Sequence, residues 1–289
     1  MQKSNPKKTV FKKQTQKRPG LESKMSPAPV FVNTVKGSGR LLNKKCIITG
    51  GDSGIGRAVA LAFAREGADV ALIYLKQEHS DAVHTAHLVH EMYDKECLLV
   101  PADISVENNC NKAVTEILKT FKQIDVLVNN AGIHYPESDI MKITTKQLTK
   151  TFAVNIFSMF WLTKAVLPHM GKGGAIINTT SVTAYRGSAG LIDYSATKGA
   201  IVSFTRSLSA SLIEKGIRVN GVAPGPIWTP LIPASFEAGE VASHGTDSPM
   251  KRAGQPAEVA PAYVFLASED ASYITGQFIH VNGGEIVNG

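Results

Sequence analysis

The sequence predicts an α/β fold in which one parallel sheet of about seven strands is covered by helices on both faces. From residue 43 onward, short apolar runs alternate with helix-length amphipathic segments. The runs are continuously apolar rather than alternating, as expected for parallel strands that are buried on both faces. No linker divides the series, so we expect a doubly wound, Rossmann-like sheet in a single domain.

Seven segments have the composition of buried strands: residues 45–49, 69–75, 97–103, 125–132, 175–181, 217–225 and 277–283. Helical periodicity marks the segments between them: residues 55–67, 80–94, 106–122, 145–170, 194–215 and 256–268. In the first helix, Ile55, Val59 and Phe63 lie mostly on one broad apolar side, and Gly67 can end the helix.

The first 40 residues differ from the rest in composition and charge. They are rich in Lys, Gln, Ser, Pro and Gly and show no sustained period. Residues 1–28 carry eight basic residues and one acidic residue, Glu22, which accounts for the whole net charge of +7. We interpret residues 1–40 as a basic, extended arm that is solvated or wraps an oligomer. A nucleic-acid or anionic-membrane arm is the alternative, and it is weakened because Phe11 is the main aromatic residue available for stacking.

Composition also bears on the compartment. No run of 18 or more apolar residues occurs, so we expect no membrane-spanning segment. The basic N-terminus lacks the apolar core of a secretory signal. Cys46, Cys97 and Cys110 are odd in number and form no C-x-x-C pair, which favours a reducing cytoplasm without structural disulfides.

The segment TGGDSGIG, residues 49–56, follows a predicted strand and opens an amphipathic helix. In this context glycines let backbone N–H groups and a helix start approach a phosphate. Its spacing does not fit G-x-G-x-x-G, so a mere tight turn is the alternative on this segment alone. Two other strand ends favour a dinucleotide. PADIS (101–105) places Asp103 where it can accept from an adenine amino group, and NNAG (129–132) supplies small residues.

The stretch TTSVTAYRGSAGLIDYSATKGAI, residues 179–201, holds the candidate catalytic side chains. Ser181 ends the fifth predicted strand, Tyr194 follows thirteen residues later, and Lys198 four residues after that. A tyrosine and a lysine at i and i+4 share a helix face, so the ammonium can lie near the phenol. Each residue alone has an ordinary structural interpretation, but their spacing in this fold indicates an acid–base site.

With these motifs the chain resembles the short-chain dehydrogenase/reductase family over about residues 43–289, and its bacterial general-stress-type members with an N-terminal extension in particular. The motifs that carry the resemblance are T-G-x-x-x-G-x-G at 49–56, Asp103, NNAG, Asn155 in FAVNIFS, Ser181, YSATK at 194–198 and RVNGVAPGPIWTP at 218–230. The resemblance implies a dinucleotide-binding Rossmann catalytic domain over residues 41–289. It also implies a homotetramer, built partly on the helix that begins at Tyr194.

The resemblance assigns a role to each catalytic residue. Ser181 would orient the substrate oxygen, Tyr194 would exchange its proton, and Lys198 would hold the nicotinamide ribose. A free phenol has a pKa near ~10, and we expect Lys198 with an oxidised nicotinamide to lower it. Asn155 would keep a backbone distortion and a water on the proton path.

The implied function is NAD(P)-dependent interconversion of a carbonyl and an alcohol by hydride transfer, on a small-molecule aldehyde or ketone. The alternative is a catalytically idle dinucleotide-binding sensor or scaffold on the same fold. A proton relay of Ser181, Tyr194, Lys198 and Asn155 disfavours that alternative, because a pure binder has no need for it.

The predicted cofactor contacts follow the carboxyl ends of the strands. They are Thr49, Gly50, Asp52, Ser53, Gly54, Ile55, Gly56, Tyr74, Leu75, Lys76, Asp103, Ile104, Asn130, Ala131, Gly132, Tyr194, Lys198, Pro224, Gly225, Ile227 and Thr229. We expect Gly50 to turn the chain, Gly54 to admit the pyrophosphate and Gly56 to ease helix–strand packing. By resemblance, the Ile227 backbone and the Thr229 hydroxyl would hold the carboxamide and the neighbouring phosphates.

The choice between NAD and NADP depends on the end of the second strand. An acidic residue there typically binds the adenosine ribose of NAD, but this chain has Tyr74 and Leu75, and Lys76 follows within reach of a 2′-phosphate. Asp52 disfavours NADP, because its negative charge would repel that phosphate. The sequence therefore favours NADP slightly and leaves NAD or dual use open.

Two further segments need an interpretation. Residues 229–250 are long and rich in Gly and Pro, which is typical of a substrate-covering lid; a plain surface loop is the alternative. We expect His134, Tyr135, Thr183 and Tyr185 to shape the substrate pocket with it.

His84, His87 and His90 recur every third residue, but no carboxylate or cysteine completes a site, so we expect a polar helix face and no metal.

Overall fold

The computed structural model describes residues 8–285 and confirms the seven-stranded parallel sheet. The strands are β1 (Lys45–Thr49), β2 (Asp69–Tyr74), β3 (Cys97–Pro101), β4 (Val126–Asn129), β5 (Ala175–Thr179), β6 (Arg218–Pro224) and β7 (Phe278–Val281). Their order is β3-β2-β1-β4-β5-β6-β7, and all neighbours are parallel. The strand order reverses at β1, between β2 and β4. Ligands of such sheets bind at this point, beyond the carboxyl ends of the strands.

The α-helices of the described chain are α1 (Gly54–Arg65), α2 (His79–Tyr93), α3 (Glu107–Phe121), α4 (Thr145–Phe152), α5 (Ser158–Val166), α6 (Thr183–Arg186), α7 (Ile192–Leu212), α8 (Ala238–Ala242) and α9 (Pro256–Ala267). One apolar core lies between the sheet and helices α1, α2 and α9. A second core lies on the opposite face, where α3, α5 and the end of α7 pack. The central strands β1, β2, β4, β5 and β6 are therefore buried on both sides, which explains their continuous apolar composition, whereas the edge strands β3 and β7 are partly exposed.

The structure differs from the predicted elements mainly at their ends. The residues expected to finish the fourth strand, 130–132, form a turn instead, because their polar groups bond to the end of β1. The helix expected over 145–170 is interrupted by a π-helical turn at Ala153–Phe157. Helices α6 and α8 were not predicted. Both are a single short turn, too short for a hydrophobic period to show.

Residues 8–40 of the arm are mostly extended and pack against the rest of the same chain. Phe11 stacks on Trp228 with ring centroids 3.7 Å apart, and the Trp228 indole donates to the carbonyl of Pro27 at 2.9 Å. Met25 is buried in the same small apolar cluster. The sequence predicted a solvated or oligomer-wrapping arm. It gave no indication of these contacts with the same chain, because they join residues about 200 positions apart. The domain boundary near residue 40 stays a prediction.

One helical stretch has the length and composition of a membrane span. It is Thr145–His169, with a mean hydropathy of 1.2 over its most apolar window, and 56% of that window is buried inside the fold. It comprises α4, the π-helical turn, α5 and a final 3₁₀ turn, and it packs against α3 and α7. Burial of this kind is typical of a core helix, whose apolar face is covered by protein.

Candidate active site

A large cavity opens along the carboxyl edge of the sheet, with a volume of about 1690 Å³. Its walls include the glycine segment after β1, the ends of β2 and β3, the turn after β4, and Ser181, Tyr194 and Lys198. Pockets for a single small ligand are about 300–1,000 Å³. The volume therefore suits a ligand as long as a dinucleotide together with a substrate.

The turn between β1 and α1 depends on glycine at two positions. Gly50 has a φ of +63°, which side-chain-bearing residues rarely adopt. A Cβ on Gly56 would lie 1.9 Å from the Gly50 carbonyl oxygen, so only glycine lets α1 start this close to the turn. These are the turning and packing roles predicted for the two residues. The cavity is thus bounded by bare backbone at the start of a helix, where N–H groups lack intrahelical acceptors.

A buried ion pair outside the cavity stabilises this turn. Glu22, from the arm, accepts the N–H of Gly54 at 2.6 Å and pairs with Arg57 on α1. The Arg57 guanidinium also donates to the Asp52 carbonyl and to the Thr85 hydroxyl. Glu22 does not line the cavity. It therefore fixes the glycine turn without occupying the space of a ligand.

The acidic side chains near the end of β2 were only partly anticipated. Asp52 and Glu78 both line the cavity, whereas Lys76 is exposed and does not. Burial raises the pKa of Asp52 to about 6 and that of Glu78 to about 8. Tyr74 is buried, and its hydroxyl hydrogen-bonds His79 at 2.7 Å. Lys76 is thus not placed where the sequence suggested a 2′-phosphate contact.

Asp103 lines the cavity at the end of β3, as its predicted role requires, together with Ile104. Its carboxylate is held by the Ser105 hydroxyl at 2.6 Å and by the Lys150 ammonium at 3.2 Å. Burial alone would raise the pKa of Asp103, but these partners outweigh it and lower that pKa. Asp103 is therefore a fixed, ionised acceptor at this end of the cavity.

Ser181, Tyr194 and Lys198 meet at the opposite end of the cavity. The Ser181 side chain hydrogen-bonds the Tyr194 hydroxyl. The Lys198 ammonium lies 5.3 Å from the centroid of the Tyr194 ring and donates to the Thr179 carbonyl at 2.8 Å. Tyr194 and Lys198 lie one helical turn apart near the start of α7, where Asp193 accepts the Tyr194 N–H at 2.8 Å. The i, i+4 prediction is thus realised in the geometry.

Burial sets the pKa values of Tyr194 and Lys198. Burial raises the pKa of Tyr194 to about 12, although the Ser181 hydrogen bond acts to lower it. Burial also lowers the pKa of Lys198 to about 7. A lysine that loses its proton near neutrality is a weak source of positive charge. Lowering the phenol pKa would therefore need the cationic nicotinamide in addition to Lys198.

Asn155 does not line the cavity, but it forms hydrogen bonds with residues next to the catalytic groups. Its amide oxygen accepts the Ile133 N–H at 2.8 Å, and its amide nitrogen donates to the Ile133 carbonyl at 2.9 Å. The same nitrogen reaches the Thr197 hydroxyl at 3.1 Å. Asn155 sits in the π-helical turn between α4 and α5, so a backbone distortion does accompany this residue.

The lid segment, residues 229–250, forms one wall of the cavity near Tyr194. His134 is buried between the Tyr194 ring at 5.2 Å and the Phe236 ring at 5.1 Å. Tyr135 and Thr183 line the same region, as predicted, but Tyr185 does not. The Tyr185 ring packs instead against His280 at 4.6 Å.

Most predicted cofactor residues line the one cavity: Gly50, Asp52, Ser53, Gly54, Ile55, Tyr74, Leu75, Asp103, Ile104, Asn130, Ala131, Gly132, Tyr194, Lys198, Pro224, Gly225, Ile227 and Thr229. Thr49, Gly56 and Lys76 do not. The Thr49 hydroxyl instead accepts the N–H groups of Asn130 and Ala131 at 2.9 and 3.0 Å and holds that turn in place.

Among the parts of the cavity wall that sequence reasoning missed are Glu78, Lys150 and the arm residues Thr9, Lys13, Arg18, Pro19 and Gly20. Glu78 was open to detection, because it follows the end of β2 by only a few residues. The arm residues gave no local signal, since they reach the cavity through contacts with the distant lid segment. Within residues 8–285, no group of three or more His, Cys, Asp or Glu side chains could hold a metal ion.

Comparison with known proteins agrees with this site. A family model described as Enoyl-(Acyl carrier protein) reductase matches residues 50–285. General stress protein 39 of Bacillus subtilis is 52% identical, covering 95% of this chain and 96% of that protein. NADPH-dependent aldehyde reductase 1, chloroplastic, of Arabidopsis thaliana is 53% identical, covering 94% and 96%. A short-chain dehydrogenase from Burkholderia cenocepacia, solved with NADP, superposes with a TM-score of 0.79 at 29% identity, covering 85% and 98%.

The chain belongs to the short-chain dehydrogenase/reductase family. This confirms the resemblance that the motifs indicated, including its general-stress-type branch. It also confirms the Rossmann-like fold and the reaction class, oxidoreduction between a carbonyl and an alcohol.

Proposed function

We propose that this protein reduces small aldehydes or ketones to alcohols, and catalyses the reverse reaction, with a nicotinamide dinucleotide as hydride carrier. The observation that carries the proposal is the convergence of Ser181, Tyr194 and Lys198 in a cavity of about 1690 Å³ that the predicted dinucleotide contacts also line. The similarity to an aldehyde reductase supports the substrate class.

The residues that would hold the dinucleotide fit it by their own geometry. The first N–H groups of α1 face a glycine turn and suit a pyrophosphate, because a helix start favours negative charge. The N–H of Gly54 is already taken by Glu22, so we assign the phosphate contact to the next residue, Ile55, which lines the cavity. Asp103 suits the adenine amino group, since it is an ionised acceptor.

Each catalytic residue would have a separate role in the reaction. The bound nicotinamide supplies or accepts the hydride, and the protein supplies position and a proton. Ser181 would hydrogen-bond the substrate oxygen, and the Tyr194 hydroxyl would give its proton to that oxygen as negative charge develops there. Lys198 is anchored to the Thr179 carbonyl and would hold the ribose hydroxyls beside Tyr194. Asn155 would keep the Ile133 backbone in position.

We propose NADP as the preferred cofactor, with NAD also accepted. The NADPH-dependent relative and the NADP-bound structure support this choice. Raised pKa values leave Glu78 and Asp52 less charged near neutrality than ordinary carboxyls, which reduces their repulsion of a 2′-phosphate.

A screen of aldehydes, ketones and sugars with NADPH and with NADH tests the proposal. We expect oxidation of the reduced cofactor to match the alcohol formed, mole for mole. Cofactor binding without turnover on any of these carbonyls would instead support the sensor or scaffold hypothesis.

We further propose a cytoplasmic homotetramer. Phe157 and Phe160 are 42% and 48% exposed, and Phe160 packs on Phe204 of α7, so this face presents apolar area that a second copy could cover. The three cysteines are free, which suits a reducing compartment. Light scattering coupled to gel filtration tests the assembly, and Phe160→Glu should dissociate it.

A further inference from the structure

The basic arm takes part in the cavity wall, and two of its cations, Lys13 and Arg18, line the cavity. The arm is held there by contacts of its own. The N–H of Gln16 donates to the Pro233 carbonyl at 2.7 Å, and the N–H groups of Val10 and Phe11 donate to the Ala242 carbonyl. The cations are therefore presented by a fixed segment of backbone.

Arg18 has a defined position beside the catalytic end. Its guanidinium lies 4.4 Å from the centroid of the Tyr135 ring. Its charge acts on the buried His134, lowering the pKa of that imidazole further than burial alone does. His134 in turn lies 5.2 Å from the Tyr194 ring. The side chain of His134 thus lies between Arg18 and the proton donor, Tyr194.

The positive charge of Arg18 is not neutralised by a neighbour within residues 8–285. Neither Lys13 nor Arg18 forms an ion pair there, whereas Arg186 at the same end pairs with Glu285. Partial burial lowers the pKa of Arg18, and the Tyr135 side chain acts in the opposite direction.

Neutral polar groups complete the surroundings of Arg18. Burial lowers the pKa of His134 to about 3 and that of His244 to about 4, so neither competes for an anion as a second cation. The His134 imidazole forms a hydrogen bond with the backbone of Leu231 in the lid segment. The Thr183 hydroxyl, which also lines the cavity, is buried without a hydrogen-bond partner in the described chain.

We propose that Arg18 is a specificity-determining residue that binds a carboxylate or phosphate carried by the substrate, a few atoms from its carbonyl group. A guanidinium suits these groups because its planar fork matches two of their oxygens. The contact with the Tyr135 ring holds the guanidinium at the cavity wall. This inference rests on the proposed function, and it assigns that function to anionic aldehydes or ketones.

The experiment compares matched substrates in wild type, Arg18→Gln and Arg18→Lys. Succinic semialdehyde is paired with butanal, and glyceraldehyde 3-phosphate with glyceraldehyde, so the carboxylate and phosphate arms are tested separately. Lys17→Gln is the control, because Lys17 is the neighbouring exposed cation and does not line the cavity. Arg18 is also exposed, so its replacement should not impair folding.

We expect wild type to prefer one anionic member of a pair, and Arg18→Gln to lose roughly 10- to 100-fold in kcat/KM for it, as for a charged hydrogen bond. The neutral partner should be unaffected, Arg18→Lys should lie between, and Lys17→Gln should match wild type. Equal kcat/KM for both members of each pair, or equal losses on both in Arg18→Gln, would overturn the assignment while leaving the carbonyl reductase proposal intact.

A binding measurement separates the two proposals if no carbonyl is turned over. Calorimetric titration with 4-hydroxybutyrate and with 1-butanol needs no reaction. Tighter binding of the carboxylate by wild type than by Arg18→Gln supports the anion site, and no difference between the two proteins refutes it.

Discussion

The two ends of the cavity are built from parts of the chain that lie at very different separations. At the dinucleotide end, the wall comes from turns directly after β1 to β4, and each turn is fixed by neighbouring strands, as Thr49 fixes Asn130 and Ala131. At the substrate end, residues 9–20 of the arm meet the lid segment more than 200 positions later. The first end therefore follows mainly from sheet topology, with Glu22 of the arm stabilising its glycine turn, whereas the second depends on packing between the arm and the lid segment.

This difference also separates the kinds of force involved. The dinucleotide end depends on backbone shape, on glycine, and on a buried ion pair between Glu22 and Arg57. The substrate end depends on aromatic stacking and a few backbone hydrogen bonds. Changes at the first end should disturb cofactor binding and folding, and changes at the second should disturb substrate use.

The largest effect is expected at the catalytic residues. Tyr194→Phe removes the proton donor but keeps the ring, so turnover should fall by about 10²–10⁴-fold. Cofactor affinity, measured by fluorescence titration, should stay unchanged. Tyr273→Phe is the control, since Tyr273 is fully exposed. Persistent turnover by Tyr194→Phe on any accepted carbonyl would refute the assigned mechanism.

The next largest effect concerns the dinucleotide end. In Gly56→Ala the new Cβ would lie 1.9 Å from the Gly50 oxygen, so the turn must move. We expect a loss of about 1–3 kcal/mol in unfolding free energy and a marked loss of cofactor affinity, measured by urea unfolding and fluorescence titration. A Cβ on Gly171 meets no atom within 4 Å, so Gly171→Ala should match wild type. Wild-type cofactor affinity in Gly56→Ala would show that this turn is not the phosphate site.

A third prediction concerns Glu66, which attaches the arm to the far end of α1. Burial would raise the pKa of Glu66, but bonds from Arg40 and Ser38 outweigh it and lower that pKa to about 2. Its folded-state pKa is below the unfolded one, so its stabilisation is present above pH ~4.5 and is lost as pH falls towards ~2.

Urea unfolding between pH 7 and pH 3 measures this contribution, which should be about 1–3 kcal/mol. Glu66→Gln should be less stable than wild type at pH 7, and the difference should shrink on acidification. A difference that does not vary with pH would show that Glu66 contributes by packing and not by its charge.

The smallest effect is expected at the substrate end. Phe11→Ala removes the stack on Trp228, a contribution of about 0.5–1.5 kcal/mol. Because that stack holds the arm beside the lid segment, we expect KM for the carbonyl to rise about 2- to 10-fold, with cofactor affinity unchanged. Val10→Ala is the control, because Val10 reaches the lid segment through its backbone. A change in cofactor affinity alone would contradict the separation of the two ends.

The sequence determined the α/β class, the seven strands and the catalytic trio, because each leaves a local signal. Buried parallel strands are continuously apolar, Tyr194 and Lys198 share a helix face, and the glycines of residues 49–56 meet steric needs within that same segment. Such features depend on neighbours along the chain or on the regular geometry of an element.

Tertiary structure alone decided what surrounds that trio. It placed Arg18 beside His134 and Tyr135, and put Glu22 behind the glycine turn. It also turned Lys76 to solvent while Glu78 entered the cavity wall, and it raised the pKa of Tyr194 through burial. These outcomes depend on which distant surfaces meet and how much water they exclude, and neither quantity is encoded in local periodicity or motif spacing.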